Sequence, residues 1–262
     1  MDLLALVADR FVYPCPGGKC DCTTYSVAGV QCLIRHGQGS SRVIVYVHGN
    51  ETTLSDLKKS GIVDVLAMQC NATVFAPEYP GYGDMQNEPR GLGEMCDICY
   101  ADKISAVVEA IQNNGAKNIS LIGRSIGCGI AMKSVTTSAA VQSAVDNITL
   151  ISPFTSLSSL FPYPLQCFAQ NRMDNAKMLR HVQCPLLLIH GSDDNLIPVS
   201  HSEELQKCHD NCTLHVIPSM KHTISSNIIG HFADRIRRFI HYGETTKSAV
   251  EFTDFDVFKP KQ

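Results

Sequence analysis

Short, uninterrupted apolar runs recur along this chain, and most stop abruptly at a glycine, a proline or a polar residue. Arg42-Val43-Ile44-Val45-Tyr46-Val47, Ala72-Thr73-Val74-Phe75-Ala76-Pro77, Asn118 to Ile122, Ile148-Thr149-Leu150-Ile151 and Cys184-Pro185-Leu186-Leu187-Leu188-Ile189 are of this kind. A run of this length without polar alternation is the pattern of a strand covered on both faces, as in a parallel sheet. Thr24 to Ile34 alternates instead, and Thr213 to Ile217 reads as a further strand. Between the strands the period changes. Ile98, Ala101, Ile104, Val107, Val108 and Ile111 recur at three- and four-residue steps within Glu94 to Asn113, and Asn114-Gly115 is a helix stop. Leu54 to Cys70, Cys128 to Lys133, Ser202 to Cys208 and Ile224 to Ile240 are further helical stretches. Strands alternating with helices predict an α/β fold with a mostly parallel central sheet flanked by helices. The aromatic and proline-rich residues 154–183 (Phe154, Phe161, Pro162, Tyr163, Pro164, Phe168) predict a small cap after the sixth core strand. Residues 1–23 read as a leader with a Cys-rich turn, 24–242 as the α/β domain and 243–262 as a C-terminal tail.

Composition narrows the class without changing that picture. The chain has 262 residues, 44% of them hydrophobic and 18% charged, with a formal net charge of −3, which suits one ordinary globular domain. No basic concentration suggests a nucleic-acid partner. Leu3 to Ala8 is too short to span a membrane, and Asp2 rather than a basic residue precedes it, so it reads as neither signal peptide nor anchor. The twelve cysteines read as reduced thiols of a cytoplasmic protein, with Cys32, Cys70, Cys128 and Cys184 placed as small core hydrophobes. Five Asn-x-Ser/Thr sequons (Asn50, Asn71, Asn118, Asn147, Asn211) read as chance occurrences, since a glycan on Asn50 would block the site described next. A metal site is not expected, because neither Cys20-Asp21-Cys22 nor Cys96-Asp97-Ile98-Cys99 has a second pair at zinc spacing. S-acylation of Cys15, Cys20 or Cys22 is a hypothesis that would add peripheral membrane contact.

The chemistry concentrates at the ends of the apolar runs. Leu121-Ile122-Gly123-Arg124-Ser125-Ile126-Gly127 carries the G-x-S-x-G pattern between a strand and a helix-competent stretch. A serine at a sharp strand-to-helix turn needs neighbours without a Cβ, and the first helical N–H groups then face its hydroxyl. Ser125 is the candidate nucleophile and the Ile126 N–H an oxyanion donor. His48-Gly49-Asn50 ends another strand, making the Asn50 N–H the second donor and His48 a scaffolding imidazole. Asp194 stands four residues after His190 and four before Pro198, so it, not Asp193, is the acid that orients a histidine. His222, after the last core strand and before the final helix, is the general base. The reaction class is acyl transfer to water through an acyl-enzyme, which needs no metal or organic cofactor.

The joint order of His48-Gly49-Asn50, Tyr79-Pro80-Gly81-Tyr82-Gly83, Tyr100-Ala101-Asp102, Gly123-Arg124-Ser125-Ile126-Gly127, Ser152-Pro153, Pro185 to Gly191 with Asp194, and His222 resembles a known family from about Tyr13 to Tyr242. It is similar to the α/β-hydrolase-domain serine hydrolases that include protein depalmitoylases. The resemblance implies the α/β-hydrolase fold, Ser125, Asp194 and His222 as the triad, and an acylated protein or a small acyl ester as substrate. A small-molecule carboxylesterase or related peptidase, and a non-catalytic binding protein on the same fold, are the alternatives. The family's membrane-active members carry a dense N-terminal cysteine cluster, which this leader lacks. Glu51 and Arg124 also depart from the usual pattern, and read either as surface charges or as a tuned pocket entrance.

Overall fold

The computed structural model describes residues 12–17, 20, 23–38, 41–163, 166, 169 and 172–242. Eight strands form one sheet: β1 (Tyr25–Val27), β2 (Val30–Arg35), β3 (Arg42–Val47), β4 (Thr73–Pro77), β5 (Asn118–Arg124), β6 (Val145–Ile151), β7 (Leu186–Gly191) and β8 (Cys212–Ile217). Their order is β1-β2-β4-β3-β5-β6-β7-β8. β2 pairs antiparallel with β1 and β4, and the other neighbours run parallel. This is the expected α/β-hydrolase fold. The alternating stretch from Thr24 is a hairpin, broken at Ala28-Gly29.

Both faces of the sheet are covered, as continuous apolar runs require. Val43, Val45 and Val47 of β3 lie in one core with α3 (Glu94–Asn113) and α4 (Ile126–Thr137). Ile44 and Tyr46 lie in the opposite core with α1 (Leu54–Ser60), α2 (Ile62–Cys70) and the final helix α8 (Ser226–Tyr242). Each fully buried Val, Leu or Ile contributes about 1.5–3 kcal/mol, so a strand that fills two cores is stabilised from both sides.

Several boundaries differ from expectation. Leu54 to Cys70 is two helices, because Gly61 takes φ 68° and its N–H closes the first by donating to the Lys58 carbonyl. Two short helices were not foreseen: α5 (Ala139–Ala144), where Ser138 accepts from the Val141 N–H, and α6 (Asn175–Leu179), where Asp174 accepts from the Lys177 N–H. The remaining helix, α7 (Ser200–Gln206), begins two residues earlier than read. Cys20 is disulfide-bonded, which corrects both its reading as a reduced thiol and its place among sites for acylation. Cys15 is turned inward, 4.0 Å from the Tyr100 hydroxyl, and Cys32, Cys70, Cys99, Cys128, Cys184, Cys208 and Cys212 are reduced thiols, as expected. The apolar lead-in at residues 1–11, Cys22 and the tail at 243–262 lie outside the described residues.

Within the expected cap, Phe154 is fully buried and belongs to the core, whereas Tyr163 is 88% exposed. Pro164 and Phe168 lie outside the described residues. The segment is anchored by a buried ion pair rather than by apolar contact alone. Arg172 donates from Nε to Asp97 Oδ2 at 3.0 Å and from Nη2 to Asp97 Oδ1 at 2.7 Å. Tyr13 donates to the same Oδ1 at 2.6 Å. Three distant segments therefore meet on one carboxylate of α3. Asp97→Ala removes the group that compensates a buried guanidinium, and should lower the unfolding free energy by about 3–5 kcal/mol. Asp97→Leu with Arg172→Met should recover most of that loss in urea denaturation; a single variant as stable as wild type would refute the anchoring role.

Candidate active site

The site is built at the carboxyl edge of the sheet. β5 ends at Arg124, and Ser125 turns the chain into α4 with φ 52° and ψ −122°. The sequence permits this turn because its glycines yield to close neighbours. A Cβ on Gly127 would collide with the carbonyl oxygens of Val47 and His48, and one on Gly123 would lie 2.8 Å from Cys128 Cα. The turn is fixed by the Ser125 N–H donating to the Ile151 carbonyl and the Cys128 N–H donating to the Ser125 carbonyl, both at 2.9 Å.

β7 and β8 deliver the other two side chains. His222 Nε2 lies 3.0 Å from Ser125 Oγ, and His222 Nδ1 lies 2.8 Å from Asp194 Oδ2. The three residues foreseen from their positions at strand ends thus form one hydrogen-bonded chain. Asp194 is buried, and its other oxygen, Oδ1, accepts from the N–H groups of Leu196 at 3.0 Å and Ile197 at 2.9 Å. Burial pushes the Asp194 carboxyl upward. The Ile197 N–H, His222 and the Leu196 N–H outweigh that and hold it below the usual carboxylate range. Asp193 takes a different part: its N–H donates to the Met220 carbonyl at 3.1 Å, and its Oδ1 accepts from Ser192.

His190 is a supporting residue that its motif position did not reveal. It is fully buried, and Nε2 lies 2.8 Å from the Ile197 carbonyl. A carbonyl only accepts, so Nε2 carries the proton and Nδ1 accepts from the Ser202 hydroxyl at 2.7 Å. Burial lowers the His190 pKa, consistent with this neutral ring. Nε2 is also 3.5 Å from Asp194 Oδ2, so the acid is flanked by two imidazoles with different tasks.

On the β3 side, Gly49 lies against the nucleophile: a Cβ built there would be 3.6 Å from Ser125 Cβ. Asn50 follows it, with Oδ1 accepting from the Tyr82 hydroxyl at 3.0 Å. Ile126 is the first residue of α4. His48 is scaffolding, as its position suggested. It is buried with Nε2 3.2 Å from Glu78 Oε1, while its carbonyl accepts from the Tyr79 hydroxyl at 2.6 Å. Glu78 Oε2 in turn accepts from the Leu54 N–H that opens α1. Arg124 is not a free surface charge; Nη2 donates to the His222 carbonyl at 3.1 Å. Among the described residues no cluster of three or more His, Cys, Asp or Glu side chains is placed to hold a metal, and no helix is long and apolar enough to cross a membrane.

A serine hydroxyl aligned with a neutral imidazole, itself aligned by a carboxylate, can attack an electrophilic carbonyl as its proton passes to the ring. Comparison with known proteins places this chain among α/β-hydrolases. A family model described as phospholipase/carboxylesterase matches residues 99–241. Alpha/beta hydrolase domain-containing protein 17B of Homo sapiens is 25% identical over 218 residues, covering 80% of this chain and 70% of that protein. The lysophosphatidylserine lipase ABHD12 of Danio rerio is 26% identical over 186 residues, covering 64% of this chain and 47% of that protein. Among solved structures, a CIB-like hydrolase from Thermoplasma acidophilum aligns with a TM-score of 0.61 at 20% identity, over 83% of this chain and 96% of that one. Est1E from Butyrivibrio proteoclasticus, solved with ferulic acid, aligns with a TM-score of 0.59 at 12% identity, over 82% and 97%. At these identities the solved structures speak for the fold.

The lowered Asp194 pKa has a thermodynamic consequence with a definite sign. A carboxylate whose folded pKa lies below its unfolded value, about 3.9, contributes stability that is complete above that value and is lost as pH falls through the folded pKa. Asp194→Asn should therefore unfold at lower urea than wild type at pH 7, and the gap should narrow on acidification below pH 4. A gap that is constant with pH would show that the charged form of Asp194 is not preferentially stabilised.

Proposed function

From the premise that the chain belongs to the phospholipase/carboxylesterase family of α/β-hydrolases, we propose that it is a serine hydrolase that cleaves acyl esters or thioesters through an acyl-enzyme. The observation that carries this reading is the continuous contact from Asp194 through His222 to Ser125, at 2.8 and 3.0 Å. Ser125 Oγ attacks the acyl carbonyl while His222 Nε2 takes its proton. Asp194 stabilises the imidazolium, and the N–H groups of Ile126 and Asn50 receive the oxyanion. The imidazolium then protonates the leaving alcohol or thiol, which departs as the carbonyl re-forms. Water, deprotonated by His222, attacks the acyl-enzyme, and Ser125 recovers its proton as the carboxylic acid leaves.

The substrate we favour is an acyl thioester on a protein cysteine, the protein-depalmitoylation reaction implied by the motifs shared with that group of serine hydrolases. Leu196, on the loop that carries the acid, is 68% exposed, and an exposed apolar side chain there suits an acyl group. The family description favours a second reading, a carboxylesterase for small acyl esters. A rate that rises from short to long acyl thioesters separates the first from the second. A purely binding role has no need of an intact and hydrogen-bonded Ser, His and Asp together. On this reading the enzyme works in the cytoplasm, with peripheral contact at membranes.

A fluorophosphonate probe should label the wild type and not Ser125→Ala, and His222→Ala should label far more slowly. Asp194→Asn should keep the fold at neutral pH and lose about 10⁴-fold in kcat on p-nitrophenyl esters, because the imidazole loses its orienting acceptor. Turnover retained by Ser125→Ala would end the proposal.

A further inference from the structure

Arg124 does something the G-x-S-x-G pattern does not require. Its backbone closes β5 beside Ile151 of β6, and its half-buried side chain reaches the loop after β8 to donate to the His222 carbonyl. On the other side of the same guanidinium, Nη1 lies 3.0 Å from where a Cβ on Gly49 would stand. One cation therefore touches the loop after β3, the strand that presents the nucleophile and the loop that carries the base. Its field also reaches Tyr46 on β3: burial pushes that phenol up to about 12, and Arg124 pulls the other way.

The His222 ring is satisfied at both nitrogens, but those contacts fix it only if its backbone is held. Further ties hold this loop on either side of His222: the Asp193 N–H to the Met220 carbonyl and the Ser219 N–H to Ser192 Oγ at 2.8 Å before it, and the Ile229 N–H to the Ser225 carbonyl at 3.0 Å after it. Arg124 makes its contact at the histidine's own peptide. A charge-assisted hydrogen bond from a rigid, planar donor is well suited to holding a carbonyl in place. A lysine ammonium, strongly hydrated and on a flexible stem, holds it less well.

We infer that Arg124 is a positioning residue, which by binding the His222 carbonyl while lying against Gly49 keeps the base in register with Ser125 and spaces it from the loop that bears Asn50. The inference rests on the serine-hydrolase reading of the same site. It assigns a task to a residue that the motif leaves unspecified.

The test compares wild type, Arg124→Gln and Arg124→Lys by kcat and KM on p-nitrophenyl butyrate, by fluorophosphonate labelling rate, and by the low-field proton resonance of the His222–Asp194 hydrogen bond. Arg124→Gln should lose about tenfold or more in kcat and in labelling rate while KM stays within about twofold, since ester binding does not use the guanidinium. Arg124→Lys should recover part of the loss. The low-field resonance should broaden or vanish in Arg124→Gln while the thermal transition stays cooperative, a pattern that loss of stability alone does not produce. An Arg124→Gln enzyme with wild-type kcat, or one altered only in KM, overturns the positioning role and leaves the serine-hydrolase reading standing. A wild type that neither labels nor turns over ester overturns both. Should Arg124→Gln fail to fold, Arg124→Lys decides: an undiminished kcat overturns the role, and a reduced kcat at unchanged KM supports it.

Discussion

The structure depends on one sharp turn. Ser125 sits at φ 52° and ψ −122°, a backbone conformation that costs a non-glycine residue on the order of 1–3 kcal/mol and persists only where its surroundings enforce it. Here they do so from three directions. β6 receives the Ser125 N–H, α4 returns the Cys128 N–H to the Ser125 carbonyl, and the end of β3 is pressed so closely against Gly127 that no side chain fits there. The same compression brings Gly49 against Ser125, so the strain and the assembly of the site have a common origin.

The acid and base reach that turn through backbone ties between the last two strands. A Cβ on Gly191, at the end of β7, would overlap the Met220 carbonyl, so the acid loop and the histidine loop share one contact surface. The Ser192 N–H to the Ile217 carbonyl and the Asp193 N–H to the Met220 carbonyl complete the seam. Asp194 can then remain buried and ionised, because two N–H groups and an imidazole replace the water it has lost. His190 supports the same loop from beneath, fixing the Ile197 carbonyl whose residue donates its N–H to the acid.

Much of this was legible in the chain. β3 and β7 announced themselves as unbroken apolar runs because both faces of the sheet are filled, and α3 because one face is buried and its other face wet. Ser125, Asp194 and His222 could be chosen because in this architecture chemistry lies at strand ends, where residue order and spacing are visible in sequence. What escaped notice depends on contacts between segments far apart in the chain. Gly61 breaks a helix by a left-handed turn that looks the same in sequence as a tolerated helical glycine. The task of His190 depends on Ser202 and on the Ile197 carbonyl, and that of Arg124 on a carbonyl 98 residues away. Short helices such as α5 and α6 offer too few turns for a periodic signal.

The segment after β6 shows how a short excursion is fixed to the core in one geometry. An apolar anchor alone would let such a short, proline-bearing excursion slide, since hydrophobic contact is non-directional. The bidentate Arg172–Asp97 pair is directional, and it acts with two further ties: the Asn175 side-chain amide to the Phe154 carbonyl at 2.8 Å, and the Thr155 N–H to His201 Nδ1 at 3.3 Å. Burying that pair carries a desolvation cost which a hydrophobic replacement avoids, so what the pair supplies is one geometry in preference to several. The Tyr13 hydroxyl on the same carboxylate extends that geometry to the N-terminal segment, where Tyr13 also stacks edge-on against Tyr100. Tyr100 in turn lies parallel to Tyr79, whose hydroxyl holds the His48 carbonyl. The post-β6 segment, the N-terminal segment and the end of β3 are thereby linked through aromatic and charged contacts, so the spacing between the post-β6 segment and the end of β3 is set by the core and not by the loops alone.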